Sequence, residues 1–421
     1  MTAHLSLACA FLVTAWNPSA VAGFFYHARI VAIVHLITIG WIALSILGSV
    51  YIVLPLACGQ AFGARRGDYV AYGLAVVGLI GMVAHFWIAE YSGMAWSAGT
   101  AAAGILYVVV RAAFAVRQAK IAPAVKLHLY FAAANLTGAV TLGVLLGIDK
   151  AHSFLPGYVL ANVFAHAHLA AVGWVSMTIM GFGYRLLPMV LPAAMPAGHS
   201  LYASAILLET GIVGLFAALV LRSGATLLFA LTVVAAFAVF AWHVVWMLER
   251  PRRPPRHRTR PDFAVHHLGA AGASLLFACV CGVLLAALPV SESTLRVALL
   301  YGVLGLVGFL AQVIVGFERR ILPIASAYWG LQRSGGVPAP APRLPAPPRV
   351  IFYSWSCGVP LIAAGLFVNS PATLASGASL LLAGSLLMSR NLLALLFPWR
   401  QPMPGRTEQQ KGPASATMTG P

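Results

Sequence analysis

Apolar residues run through this chain in stretches of about 20, each long enough to cross a hydrocarbon core of about 30 Å as an α-helix. Twelve are legible, at roughly 5–24, 28–57, 69–90, 98–117, 126–148, 157–190, 200–222, 225–248, 263–288, 295–322, 350–368 and 372–397. The pattern predicts an all-α integral membrane protein of twelve transmembrane helices, with 1–400 as a single membrane domain. The first stretch carries no basic leader and no small-residue cleavage site, so it reads as a retained helix and not a removed signal peptide. Segment 331–349, with GGVPAPAPRLPAPP, reads as a Pro-rich cytoplasmic loop, and the polar tail 401–421 as disordered.

A longer period overlies the helical one. Counting from His35 and His168 as zero, two segments share His-Leu, Gly-Trp at plus five and six, Gly at plus thirteen, Tyr at plus sixteen and Leu-Pro at plus nineteen and twenty. A fainter copy without histidine keeps the offsets as Val303-Leu304, Gly308-Phe309, Gly316, Arg319 and Leu322-Pro323. The copies start 133 and 135 residues apart (168 − 35 and 303 − 168). Such a period describes a whole architecture. Each unit of about 134 residues holds four helices, so the motif falls on spans 2, 6 and 10 and the expected fold is three pseudo-symmetric arcs of four. The repeats cover about 1–68, 126–200 and 263–325, with 69–125 linking. Odd spans agree: 128–146 and 267–285 both begin His-Leu and carry Gly-Val-Leu-Leu from plus fifteen, with His4-Leu5 as the candidate third copy.

Composition supports the membrane reading, since 61% of the 421 residues are hydrophobic and 8% charged. The net charge of +17 suggests nucleic acid only until its carriers are placed. Arg65, Arg66, Arg117, Lys120, Lys126, the run 249–261, Arg319, Arg320, Arg333, Arg343 and Arg349 follow even spans, whereas odd spans are followed by sparse charge: Arg29, Glu90, Asp149 with Lys150, Arg222, and Glu292 with Arg296. The positive-inside rule then puts the even loops and both termini in the cytoplasm, predicting a multi-pass protein of a bacterial-type inner membrane with lipid, not nucleic acid, as its partner. The five cysteines show no paired spacing and read as small buried hydrophobes.

Histidine inside a bilayer points to a bound group or a closed polar network. This topology places His35, His166 and His168 in the outer half of the membrane, with His27, His85, Glu90 and His152 near the same face. His4, His128, His243, His257, His266 and His267 fall at the cytoplasmic end, where hydrogen bonding or interface anchoring accounts for most of them. His166 and His168 diverge by about 200° around a helix, so they serve two centres, or one centre and a structural contact. Neutral imidazole suits haem iron, copper and zinc alike. The glycines at plus five and thirteen admit a close helix or a flat ligand, and Trp41 and Trp174 read as core fillers.

Three arcs of four helices, with His166-Ala167-His168, Gly173-Trp174 and Leu187-Pro188 on one of them, resemble subunit I of the haem-copper oxidase superfamily. The HxH helix is similar to that of C-type terminal oxidases and nitric oxide reductases, and also to that of the NnrS family. The resemblance implies b-type haem with His35 and His168 as axial ligands, and a second centre at His166, haem or copper, with His85, His27 or His152 as partners. It also implies an electron-donor cytochrome or companion subunit. The chain departs from the oxidases in holding Tyr301 and Val303 where they have HxH on helix 10, and in lacking the His-His pair on helix 7, so no complete copper centre is read and a full oxidase is the least supported alternative. No CxxCH motif is present for covalent haem. The leading expectation is a membrane haemoprotein for electron transfer or nitric oxide or oxygen handling. The alternative is a haem-free transporter or assembly factor that keeps the fold.

Overall fold

A computed structural model describes residues 1–22, 26–253, 262–333 and 344–397, with nothing said of the side chains of 329–333. The tail 401–421, His257 and the middle of 331–349 lie outside the described residues. These form α1 (Thr2–Trp16), α2 (Ala28–Cys58), α3 (Arg66–Ile88), α4 (Met94–Gln118), α5 (Pro123–His152), α6 (Val159–Val190), α7 (Ser200–Val220), α8 (Thr226–Leu248), α9 (Phe263–Ala287), α10 (Glu292–Tyr328), α11 (Pro348–Phe367) and α12 (Pro371–Leu396). Eleven of them are long and apolar enough to cross a membrane.

The first span is corrected. It was expected at 5–24, but α1 stops at Trp16, because Pro18 cannot continue a helix and Asn17 turns out to cap a short 3₁₀ turn at Pro18–Ala20. At 15 residues α1 is about 22 Å long, shorter than the hydrocarbon core. The other spans follow expectation to within a few residues, except that α10 runs on to Tyr328 through Pro323.

Each helix packs on its neighbours in sequence, and α1 lies along α12, so the twelve close into a ring. Burial separates inner helices from outer ones. Half of the apolar window of α2 and of α10 is buried, against 17% of that of α9, whose flanks meet lipid. In the centre, the middle parts of α2 and α6 each touch that of α10.

Those middle parts carry the repeat. Leu36–Ala43, Leu169–Ser176 and Leu304–Ala311 are π-helical, each occupying plus one to plus eight of its motif copy. A π segment widens a helix by one residue per turn and is rare outside functional or strained positions. It recurs in α10 without histidine, so it belongs to the packing of the repeat.

The glycine at plus five shows what that packing needs. A Cβ on Gly40, Gly173 or Gly308 would stand 2.5 Å from Ser6 Cβ, 2.9 Å from Asn135 Cγ and 2.7 Å from Ser274 Oγ respectively. In every copy, therefore, the motif helix seats a polar side chain of the preceding odd helix against bare backbone. Asn135 and Ser274 stand at the same offset, plus seven, from His128 and His267. At plus thirteen, Gly181 and Gly316 admit His128 and Leu268, whereas Gly48 faces open space. Helix approach is what these glycines serve, Gly48 excepted. Trp41 and Trp174 are buried in the core, as fillers.

Candidate cofactor site

His35 sits in α2 one residue before its π segment. Its Nδ1–H donates to Val31 O (2.7 Å), and its ring stacks on Phe86 of α3 with centroids 5.1 Å apart. Because a carbonyl can only accept, Nδ1 holds the proton and Nε2 carries the lone pair. His166 on α6 is fixed in the same tautomer from a different helix, donating through Nδ1 to Ala139 O of α5 (2.9 Å). Gly143 makes room for that ring, since a Cβ there would lie 2.9 Å from His166 Cε1. His35 and His166 lie within electrostatic range of each other without a hydrogen bond between them. Neither Nε2 has a hydrogen-bond partner among the described residues. The neighbouring walls are apolar: Met82 and Phe86 from α3, Met94 and Ala98 from α4, Val144 from α5.

His168 turns elsewhere. Its Nδ1–H donates to Phe164 O (2.7 Å), so its Nε2 accepts, here from the Tyr301 hydroxyl of α10 (3.1 Å). The two rings stack with centroids 5.9 Å apart, and Gly282 of α9 lies against the tyrosine edge. The divergence of about 200° between His166 and His168 thus sends one side chain to α5 and the other to α10. Tyr301 holds the minus-two position of the third motif copy, the place that His166 holds in the second. That equivalence was the available signal for a residue which histidine counting passes over.

The other expected metal ligands stand apart. His85 at the end of α3 donates through Nδ1 to Glu90 O (2.9 Å), with Glu90 Oε2 3.3 Å away. The Glu90 carboxyl is held below the usual carboxylate range chiefly by bonds from Ser92. His27 caps α2, its Nδ1 accepting from Arg29 N (3.3 Å), and His152 ends α5, exposed. Among the described residues, no three of His, Cys, Asp and Glu converge as a metal site.

The histidines of the opposite, basic end are mostly buried in polar contacts. Ser200, His243, Tyr184, Ser204 and His128 form an unbroken chain of hydrogen bonds of 2.9–3.0 Å between α5, α6, α7 and α8, ending on Ala124 O at 2.8 Å. His4 faces Glu318 at 3.3 Å and His267 faces Gln312 at 3.4 Å. Glu209, on α7 near mid-membrane, accepts from Asn135 Nδ2 (2.7 Å). Arg185 holds Ala57 O with Nε and Nη2 (2.9 and 2.7 Å), tying α6 to the end of α2. One sequence reading changes here. Cys357 is exposed, whereas Cys58 and Cys281 are buried as expected.

Comparison with known proteins places the fold. No family model and no curated protein matches the chain. Among solved structures, a haem-copper terminal oxidase dimer determined by cryo-electron microscopy is similar over 94% of this chain and 83% of its own, with TM-score 0.56 and 11% sequence identity. The chain has the fold of a haem-copper oxidase, in a protein whose apolar helices make it a multi-pass membrane protein.

Proposed function

We propose that the chain is a membrane haemoprotein that binds b-type haem between α2 and α6 and uses it in electron transfer or in handling nitric oxide or oxygen. The observation that carries this reading is the pair His35 and His166: two imidazoles from different helices, each with Nδ1 pinned to a carbonyl and Nε2 unpartnered beside apolar walls. A ring held through its Nδ1–H and offering a lone pair at Nε2 is how histidine is prepared for a metal. The stacked Phe86 and the bare backbone at Gly143 hold the two rings at fixed angles. Bound there, haem supplies one-electron chemistry, and the dry walls govern its potential.

This differs in pairing from the ligand set which the family resemblance implies. His168 is engaged by Tyr301 and belongs to a second position, between α6 and α10, where it remains a candidate ligand if the tyrosine yields. We read the ring of helices as three arcs of four, with the basic loops and both termini in the cytoplasm of a bacterial-type cell and an electron-donating cytochrome or companion subunit as partner. The resemblance of the fold to a terminal oxidase supports haem, with copper as the less supported second metal.

The test is spectroscopic. Protein expressed with haem supply and purified is expected to show a Soret band and a b-type pyridine haemochrome. His35→Ala and His166→Ala should each abolish the low-spin spectrum, while His168→Ala retains it. Purified protein without haem absorbance would overturn the haem reading in favour of a haem-free transporter or assembly factor, and loss in His35→Ala and His168→Ala with retention in His166→Ala would restore the His35–His168 pair.

A further inference from the structure

At the basic end of the bundle, away from the histidine pair, lies a cavity of about 420 Å³ bounded by Arg185, Arg252, Arg253, Leu56, Met189 and Met195. That volume falls within the range of about 300–1,000 Å³ usual for small-ligand sites. Its lining joins three arginines to aliphatic and thioether residues. None of the three arginines has a carboxylate within ion-pair distance among the described residues. Arg185 is half-buried and satisfies Nε and Nη2 on Ala57 O, while Nη1 meets only Met195 Sδ at 3.6 Å. Elsewhere at this end, two partly buried arginines do have acids: Arg111 pairs with Asp68 and Arg320 with Asp262.

The cavity is also built from fixed backbone. Arg252 N donates to Pro192 O (2.6 Å) and Ala194 N to Arg250 O (3.1 Å), so the segment after α8 is pinned by a small bridge to the segment after α6. A partly desolvated guanidinium without a counter-charge is unfavourable, and a planar fork of donors matches phosphate oxygens. Basic pockets between transmembrane helices, at headgroup depth, take anionic lipid heads.

We propose that this cavity binds a phosphate group, carried by an anionic lipid whose headgroup meets the three arginines and whose upper acyl chains lie on Leu56, Met189 and Met195. The site is independent of haem and of the histidine pair.

Native mass spectrometry of the detergent-purified full-length chain tests it, with phosphatidylglycerol, phosphatidylcholine and inorganic phosphate as probes. Wild-type protein is expected to retain phosphatidylglycerol and not phosphatidylcholine. Arg252→Gln with Arg253→Gln, both exposed and outside the helices, should weaken that retention roughly thirtyfold, at about fivefold per arginine near a headgroup layer. The control variant Arg117→Gln with Lys120→Gln removes equal charge from the end of α4 and the loop after it and should stay within about twofold of wild type, below the effect of a single arginine. Millimolar phosphate that displaces the lipid supports the same site with a soluble phosphate as its occupant. Equal loss in the control, or no preference for phosphatidylglycerol together with no phosphate binding, overturns the proposal.

Discussion

Gly173→Ala tests whether glycine at plus five is there for close packing. A Cβ at that position would lie 2.9 Å from Asn135 Cγ, 3.0 Å from Asn135 Cβ and 3.0 Å from Ile212 Cγ2, so at least one neighbour must shift. Overpacking of this kind costs about 1–3 kcal/mol. Asn135 cannot swing away without releasing Glu209, a hydrogen bond of the intramembrane class that averages about 0.6 kcal/mol and reaches about 1.7. Against both stands the gain in helix propensity of alanine over glycine, about 1 kcal/mol. The balance is a net loss of about 0.6–3.7 kcal/mol. Gly48→Ala is the internal control, because a Cβ there meets nothing within 4 Å and only the propensity gain remains. The assay is the apparent unfolding temperature in one detergent, compared as an order of variants, since unfolding of such a protein need not be two-state. Gly173→Ala should melt below wild type and Gly48→Ala at or above it, with Gly40→Ala and Gly308→Ala on the side of Gly173→Ala. A Gly173→Ala protein as stable as wild type would refute the packing argument for all three copies.

Other substitutions probe separate contacts. Asp68→Asn strips the charge from the nearly buried partner of Arg111 and should cost about 3–5 kcal/mol, read as loss of monodisperse protein in gel filtration, with Asp68→Asn plus Arg111→Gln less damaging than the sum of the two. Tyr184→Phe removes the hydroxyl that links Ser204 to His243 and should cost about 1–2 kcal/mol in apparent stability, and His243→Ala should add less in that background than it costs alone. Tyr301→Phe deletes the donor to His168 Nε2 but leaves the His35–His166 pair intact, so haem content should match wild type, whereas a parallel loss of haem would move the site to α10.

How much was legible follows from how local each feature is. The spans could be read directly because hydrocarbon thickness sets the length of a crossing helix and each stretch declares it in its own residues. Of the two misplaced ends, at Trp16 and Tyr328, the first lay where apolar residues continue past Pro18, and there backbone chemistry overrides hydrophobicity. The repeat was legible as spacing, and its meaning became clear only in three dimensions. Offsets of plus one to plus eight turn out to be π-helical, and the glycines turn out to be seats for Ser6, Asn135 and Ser274.

The histidines mark the boundary. Sequence spacing by itself determined that His166 and His168 point to opposite sides of α6, because side-chain direction around a helix depends only on residue number. It could not say what each would meet. His35 meets Phe86 of α3, His166 meets Ala139 of α5 and Tyr301 reaches His168 from α10, because the ring closes α1 on α12 and brings the motif helices to its centre. The charge asymmetry of the loops was likewise plain in the sequence. That Arg185, Arg252 and Arg253 share one cavity was decided by the turns after α6 and α8, whose backbones bond to each other across a gap of about sixty residues in the chain. Helix length and side-chain direction follow from local chemistry. Which imidazoles, glycines and arginines face one another follows from packing between distant segments, and only the tertiary structure supplies it.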